Sequence, residues 1–350
     1  NTPGNGKFLY SAYQNFSGED CRRFFAELGV ESQEEEGGKI FTCRGAASLI
    51  EAFHRAFRRF KVDLRYGWEG EKLILAKGIC RGIQAKGQKL AGRVVVSTGG
   101  LSYPATGCTG KGYELARQAG HQIRGFWPSG VGVLTRPNWG KEQACQGVAC
   151  SQVELTLSAS HFKPAKARGA IIFTHFGLSG PAVFRLSREI ALYLAKNSEL
   201  LLQVDFFPEY SKEALLQVLA GRSAKMTAKE VFTLLKELLP ARLSGVILAQ
   251  AKIAPNRKLV SMQIPEWQKL VQNLKSLPFT IYQTRPLKEA IVTVGGVAVK
   301  EINPRTMESR LAEGLYFAGE VLDLDAYTGG YNLQMAWATG RLAGQAAALY

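Results

Sequence analysis

Apolar positions along this chain change spacing several times, and the changes mark out its elements. Near the C-terminus, Leu315 to Ala318 is a short apolar run between glycines, the pattern of a strand buried on both faces in a parallel sheet. It stops at Gly319-Glu320. After a loop holding Asp323 and Asp325, Thr328-Gly-Gly-Tyr-Asn332 opens an apolar helix through Ala336, Ala338, Leu342 and Ala346. A second run of the same kind, Arg93-Val-Val-Val-Ser-Thr-Gly-Gly100, predicts another buried parallel strand with a tight turn at its carboxyl end, where open α/β sheets bind ligands.

Helical spacing predicts three helices in the first third of the chain. One starts at Ser17, with Asp20 as capping partner, and runs through Leu28 to Gly29. One covers Ala46 to Phe60, with Leu49, Ile50, Phe53, Phe57 and Phe60 on one face and His54, Arg55, Arg58 and Arg59 outside. The third runs from about Gly110 to Ala119. Val62 to Trp68 reads as a strand, and Leu73 to Ala76 with Gly78 to Ala85 as a small antiparallel meander. From Phe126 the character changes: strands are expected at Gln152 to Leu157, Ala170 to Thr174 and Leu200 to Phe206. Between Ser211 and Leu274 the period is helical, as at Val231, Leu234, Leu235 and Leu238, before strands return at Phe279 to Gln283 and Ala290 to Val294. The fold class is α/β. Residues 1–125 and 286–350 form one discontinuous domain, and 126–285 are inserted in it, β-rich over 126–210 and 276–285 and helical over 211–275.

Composition narrows the classes. The 350 residues are 46% hydrophobic and 21% charged, ordinary for a globular chain of two domains. No apolar run reaches the roughly 18 residues of a spanning helix and no basic-then-apolar leader is present, so no membrane association and a cytoplasmic location are expected. Six cysteines include no CxxC pair and the four histidines are scattered, so no metal site is expected and the thiols should stay reduced and mostly buried. Lys plus Arg number 44 against 29 acids, a net +15. That excess suits an anionic partner such as RNA, and solvated surface charge is the plainer account.

The chemistry concentrates at glycines. Gly329 and Gly330 allow close backbone approach, and the helix that follows begins with free amides carrying partial positive charge, which makes an anion or oxygen-acceptor site. An ordinary strand-loop-helix closing a domain has the same outline. Gly107-x-x-Gly110-x-Gly112 is not a Walker loop, which needs Gly-x4-Gly-Lys-Ser/Thr, so a kinase or NTPase is not expected.

The literal strings go further. Gly-Leu-Tyr-Phe-Ala-Gly-Glu-Val-Leu-Asp followed by Thr-Gly-Gly-Tyr-Asn-Leu-Gln resembles the C-terminal signature of a family of bacterial FAD-dependent oxidoreductases that includes aminoacetone oxidase-like and bile-acid-reductase-like flavoproteins. The likeness extends to Thr98-Gly-Gly-x-Ser102-Tyr-Pro-x-Thr-Gly, to Phe173–Pro181 (FTHFGLSGP) and to Val292–Val297 (VTVGGV), and so covers essentially the whole chain. It implies a Rossmann-like, two-dinucleotide-type FAD domain with the β-rich insertion. It implies flavin contacts at Gly319, Glu320, Asp323, Gly329, Gly330, Asn332, Leu333 and Gln334, and phosphate or adenosine contacts at Thr98, Gly99, Gly100 and Ser102. Lys111 stands where the family usually has an acid. No GxGxxG occurs anywhere, so the N-terminal βαβ unit is expected to be missing from this chain, which should then hold flavin poorly on its own.

Flavin carries the redox chemistry, with NAD(P)H as a candidate donor. His175 is a candidate proton donor or a structural residue bonding a backbone carbonyl; Tyr331 and Tyr327 are rival donors or packing aromatics. The resemblance implies hydride transfer to or from a small molecule, by amine oxidation or enone reduction. It extends also to an RNA-dihydrouridine branch, for which Arg55, Arg58, Arg59, Lys163, Lys166 and Arg168 are candidate phosphate contacts. A non-catalytic remnant binding a partner is the third class.

Overall fold

The computed structural model describes residues 1–35, 38–139, 145–159, 164–226 and 228–349. The chain divides into two compact units, Asn1–Trp127 with Ile291–Tyr350, and Pro128–Ala290.

The first unit opens with α1 (Tyr10–Asn15) and α2 (Gly18–Glu27). A capping box starts α2: the Asp20 amide donates to Ser17 Oγ at 3.1 Å and the Ser17 amide to the Asp20 carboxylate at 2.9 Å. The hairpin β1 (Ser32–Glu35) and β2 (Lys39–Thr42) leads to α3 (Ala46–Arg59). Here the expected core stripe fails in part. Ala52 is the residue of α3 that is buried, while Ile50 and Phe60 are 59% and 68% exposed. The helix seats its smallest side chain and leaves the larger ones at its flanks, where Phe53 meets Phe25 edge-on. Val62 to Trp68, expected as a strand, runs as coil and turn with Val62, Leu64 and Tyr66 exposed. Extended backbone becomes a strand only where a neighbour takes its donors and acceptors, and none pairs with it among the described residues.

The meander is present as β3 (Gly70–Ala76), β4 (Ile79–Ala85) and β5 (Gln88–Ala91). β6 (Val94–Val96) and α4 (Lys111–Gln118) follow, and β7 (Trp127–Ser129) spans the boundary between units.

The second unit is a closed antiparallel barrel with a helical layer. Its strands are β8 (Val133–Arg136), β9 (Ala149–Ser158), β10 (Ala165–Thr174), β11 (Gly177–Ser179), β12 (Leu200–Asp205) and β13 (Leu277–Thr284), ordered β10-β11-β8-β13-β12-β9. Alternation drives the closure: Leu200, Leu202 and Val204 of β12 and Val153, Leu155 and Leu157 of β9 all point into the core. Gly177 lets β11 close on β8, since a Cβ there would lie 2.4 Å from the Val133 carbonyl oxygen. α5 (Pro181–Leu194), which the spacing did not single out, packs against β9 to β13. The helical stretch resolves into α6 (Lys212–Ala224), α7 (Val231–Lys236), α8 (Ala241–Ala251) and α9 (Ile264–Lys275).

The chain then returns to the first unit through β14 (Val292–Val294), β15 (Leu315–Phe317) and α10 (Tyr331–Ala348). β15 pairs with β6 in parallel, Leu315 opposite Val94 and Phe317 opposite Val96. No helix among the described residues is long and apolar enough to cross a membrane.

Candidate active site

Because β6 and β15 run parallel and in register, the segments that follow them, Ser97–Ser102 and Gly319–Val321, leave the sheet at the same carboxyl edge. Glu320 joins them. Its carboxylate accepts from the Thr293 amide at 2.6 Å, from the Gly100 amide at 3.3 Å and from the Ser102 hydroxyl at 3.3 Å. Thr293, fully buried on β14, completes the junction: its Oγ1 accepts from the Leu101 amide at 2.8 Å and the Ser102 amide at 3.1 Å. Burial pushes the Glu320 carboxyl above its usual range, while the bonds from Thr293, Gly100 and Ser102 pull it back.

The amides of Gly100, Leu101 and Ser102 are therefore all taken by Glu320 and Thr293. Gly100 must be glycine for this, since a Cβ would lie 2.4 Å from Thr293 Oγ1 and 3.0 Å from Glu320 Cδ. Gly99 lies against Cys108, and Thr98 faces Gly112 of α4. The turn is thus a nest of amides already filled by the protein's own side chains, the Glu320 carboxylate at Gly100 and the Thr293 hydroxyl oxygen at Leu101 and Ser102.

The start of α10 is different. No side chain caps it; Gly330, at φ 91°, is the N-cap, and a Cβ on Gly330 would meet nothing within 4 Å. The first-turn amides of Tyr331, Asn332 and Leu333 are left without intrahelical partners. Several predicted contacts act as buttresses of this helix start. The Asn332 amide group accepts from the Ala326 amide at 2.9 Å and donates to the Ala326 carbonyl at 2.8 Å, fixing the loop before the helix. Gln334 donates to the Phe16 carbonyl at 2.9 Å, and Asp323 accepts from Asn5 at 3.0 Å. Gly319 donates to Thr339 Oγ1 at 2.9 Å, drawing α10 down onto the end of β15. Leu333 is 55% and Tyr331 39% exposed.

His175 belongs to the second unit, on the turn between β10 and β11. Its ring is exposed and meets Phe176 edge-on, and its carbonyl accepts from Asn138. The candidate cations are mostly engaged. Lys166 and Arg168 both hold Glu154 at 2.8 Å, and Arg55 donates to the Leu28 carbonyl; Lys163 lies outside the described residues.

Two residues of the junction were not anticipated. Thr293 sits in the quoted VTVGGV string, whose two glycines drew attention away from the threonine. Tyr113 of α4 buries a hydroxyl with no hydrogen-bond partner among the described residues, and burial, with Glu320, Cys108 and Asp323 nearby, raises its pKa. Nothing in its spacing distinguished it from a core aromatic. A third cluster has the outline of a hydrolytic triad: His121 bonds Glu301 through Nδ1 at 2.9 Å and Ser309 Oγ through Nε2 at 2.8 Å. Ser309 Oγ also accepts from the Leu311 and Ala312 amides and is buried, so it has no access to a substrate.

A flavin nucleotide presents carbonyl and phosphate oxygens, which need donors, and a flat ring, which needs open space. The uncapped amides of α10 and the clear space at Gly330 fit it; the Gly100–Ser102 amides do not, being already bonded. Fold and site define a Rossmann-type flavoprotein of the oxidoreductase class. The family model described as the HI0933-like protein Rossmann domain matches residues 1–346, and the chain belongs to that family. It is 34% identical over 345 residues to the 3-dehydro-bile acid delta(4,6)-reductase of Clostridium scindens, covering 98% of this chain and 83% of that protein. It is 30% identical to the ribosomal RNA dihydrouridine synthase of Haemophilus influenzae, covering 96% and 81%. The Escherichia coli protein of the same name is 28% identical, covering 96% and 80%.

Proposed function

We propose that this protein is an FAD-dependent reductase that saturates a carbon–carbon double bond conjugated to a carbonyl group, with NAD(P)H as electron source. The observation that carries the reading is the uncapped start of α10, with open space at Gly330, on the helix that Gly319 at the carboxyl end of β15 holds through Thr339. A bound flavin supplies the hydride chemistry, which no side chain here provides. The chain's part is to bind and orient. The amides of Tyr331, Asn332 and Leu333 are assigned to the oxygen-rich edge of the ring system, with Gly319, Gly329 and Gly330 keeping side chains out of its way. Glu320, Asn332 and Gln334 hold the backbone that does so.

The names of the relatives support reduction over amine oxidation. A delta(4,6)-reductase of a 3-dehydro bile acid and a dihydrouridine synthase both imply saturation of a double bond conjugated with a carbonyl. The test is anaerobic reduction of the full-length flavoprotein with NADH or NADPH, followed by a 3-oxo-4,6-diene steroid. Flavin reoxidation with a product heavier by two hydrogens supports the reading; no reoxidation by any conjugated enone sinks it. If His175 delivers the accompanying proton, His175→Ala slows reoxidation by about 100-fold while flavin stays bound. An unchanged rate leaves Tyr331 as the candidate.

Charge favours a second substrate class, uridine in RNA. Residues 128–290 hold 21 Lys and Arg against 11 Asp and Glu, a net +10 of the chain's +15. Binding to ribosomal RNA fragments should weaken steeply with salt, as counterion release requires. Absence of binding at low salt leaves the small enone.

A further inference from the structure

We propose that Thr293 is a positioning residue for the flavin, acting through Glu320 and the Gly100–Ser102 turn; the inference rests on the flavin reading of the site. Thr293 is fully buried, yet its bonds run to functional loops: its amide donates to Glu320, its hydroxyl oxygen accepts from the Leu101 and Ser102 amides, and its hydroxyl reaches Ser102 Oγ at 3.5 Å. Its bond to Glu320 is the shortest of the three that hold that carboxylate. Its methyl-bearing Cβ leaves no room for any residue but glycine at position 100, where an added Cβ would lie 2.7 Å from it.

A half-buried carboxylate among backbone loops is stable in one place only if its donors are fixed. Thr293 fixes two of them, its own amide directly and the Gly100 amide through the turn that its hydroxyl clasps. Without the hydroxyl, the Leu101 and Ser102 amides lose their acceptor and turn toward Glu320 or solvent, and the wall that β6 presents at the carboxyl edge changes shape. Valine keeps the volume and deletes the oxygen. Serine keeps the oxygen.

The experiment is a fluorescence titration of flavin-stripped, full-length protein with FAD, and the visible spectrum of the bound flavin, for wild type, Thr293→Val and Thr293→Ser. Thr293→Val should raise the FAD dissociation constant at least 10-fold and shift the flavin band. Thr293→Ser should stay within about 3-fold of wild type with the band restored. Wild-type affinity and spectrum in Thr293→Val overturn the inference. If Thr293→Val does not fold, the serine variant decides: a loss of 10-fold or more with the oxygen retained sinks the idea. Failure of wild-type protein to bind FAD at all sinks the flavin reading itself, a separate result.

Discussion

The two units of this protein satisfy their backbones by different means. In residues 128–290, six strands close on one another, so nearly every donor and acceptor of the barrel is used by a neighbouring strand and the core is filled by alternating aliphatic residues and the rings of Trp139, Phe173 and Phe279. In the other unit the parallel pair β6 and β15 has only three residues in each strand, and side chains do the joining: Glu320 and Thr293 at one end, Asn332 on the loop before α10, His121 between Glu301 and Ser309. Ladders make a stable shell. Strand ends and helix starts leave amides over, and a ligand site can be built only from what is left over.

Five variants, in four tests, probe that contrast. The largest effect belongs to the barrel: Phe279→Ala removes a fully buried ring that touches Trp139 and Phe173, and should cost about 3–5 kcal/mol in denaturant unfolding. A loss below about 1 kcal/mol would mean that the barrel core is not the rigid element described.

Next comes the junction. Gly100→Ala forces a methyl against Thr293 and Glu320 and should cost about 1–3 kcal/mol, whereas Gly330→Ala meets no atoms and carries only the cost of a positive φ, about 1 kcal/mol. Equal losses would erase the distinction between a filled nest and an open one.

The third concerns pH. Burial lowers the His121 pKa below its ordinary 6.5, with the Glu301 bond opposing. The folded state therefore holds the ring neutral while the unfolded chain takes a proton, so the contribution is intact above about pH 6.5 and is lost as pH falls from there through the lower folded value. Thermal melts of His121→Gln should be flatter than wild type across that window and lower than wild type above it. Parallel melting curves would remove His121 from the account.

The smallest effect has the opposite sign. Tyr113→Phe deletes a buried hydroxyl that has no acceptor among the described residues, and flavin-free protein should gain up to about 1 kcal/mol. A loss would reveal an acceptor, such as a buried water, beside Glu320.

Much of this was written in local sequence. Short apolar runs at 94–96 and 315–317 located the parallel pair because a strand buried on both faces needs no polar alternation. Ser17 and Asp20 located a helix start because capping is a contact between residues three apart. The Thr-Gly-Gly strings pointed to the carboxyl edge and, through family likeness, to flavin.

What tertiary structure decided was partnership. Whether Val62 to Trp68 became a strand depended on a neighbour, and whether Phe60 was buried depended on which face α3 turned inward. Above all, the glycines at 99 and 100 look the same in sequence whether their turn cradles a phosphate or a carboxylate. The carboxylate comes from residue 320 and the clasp from residue 293, both about 200 positions away along the chain, and only folding brings them to the turn.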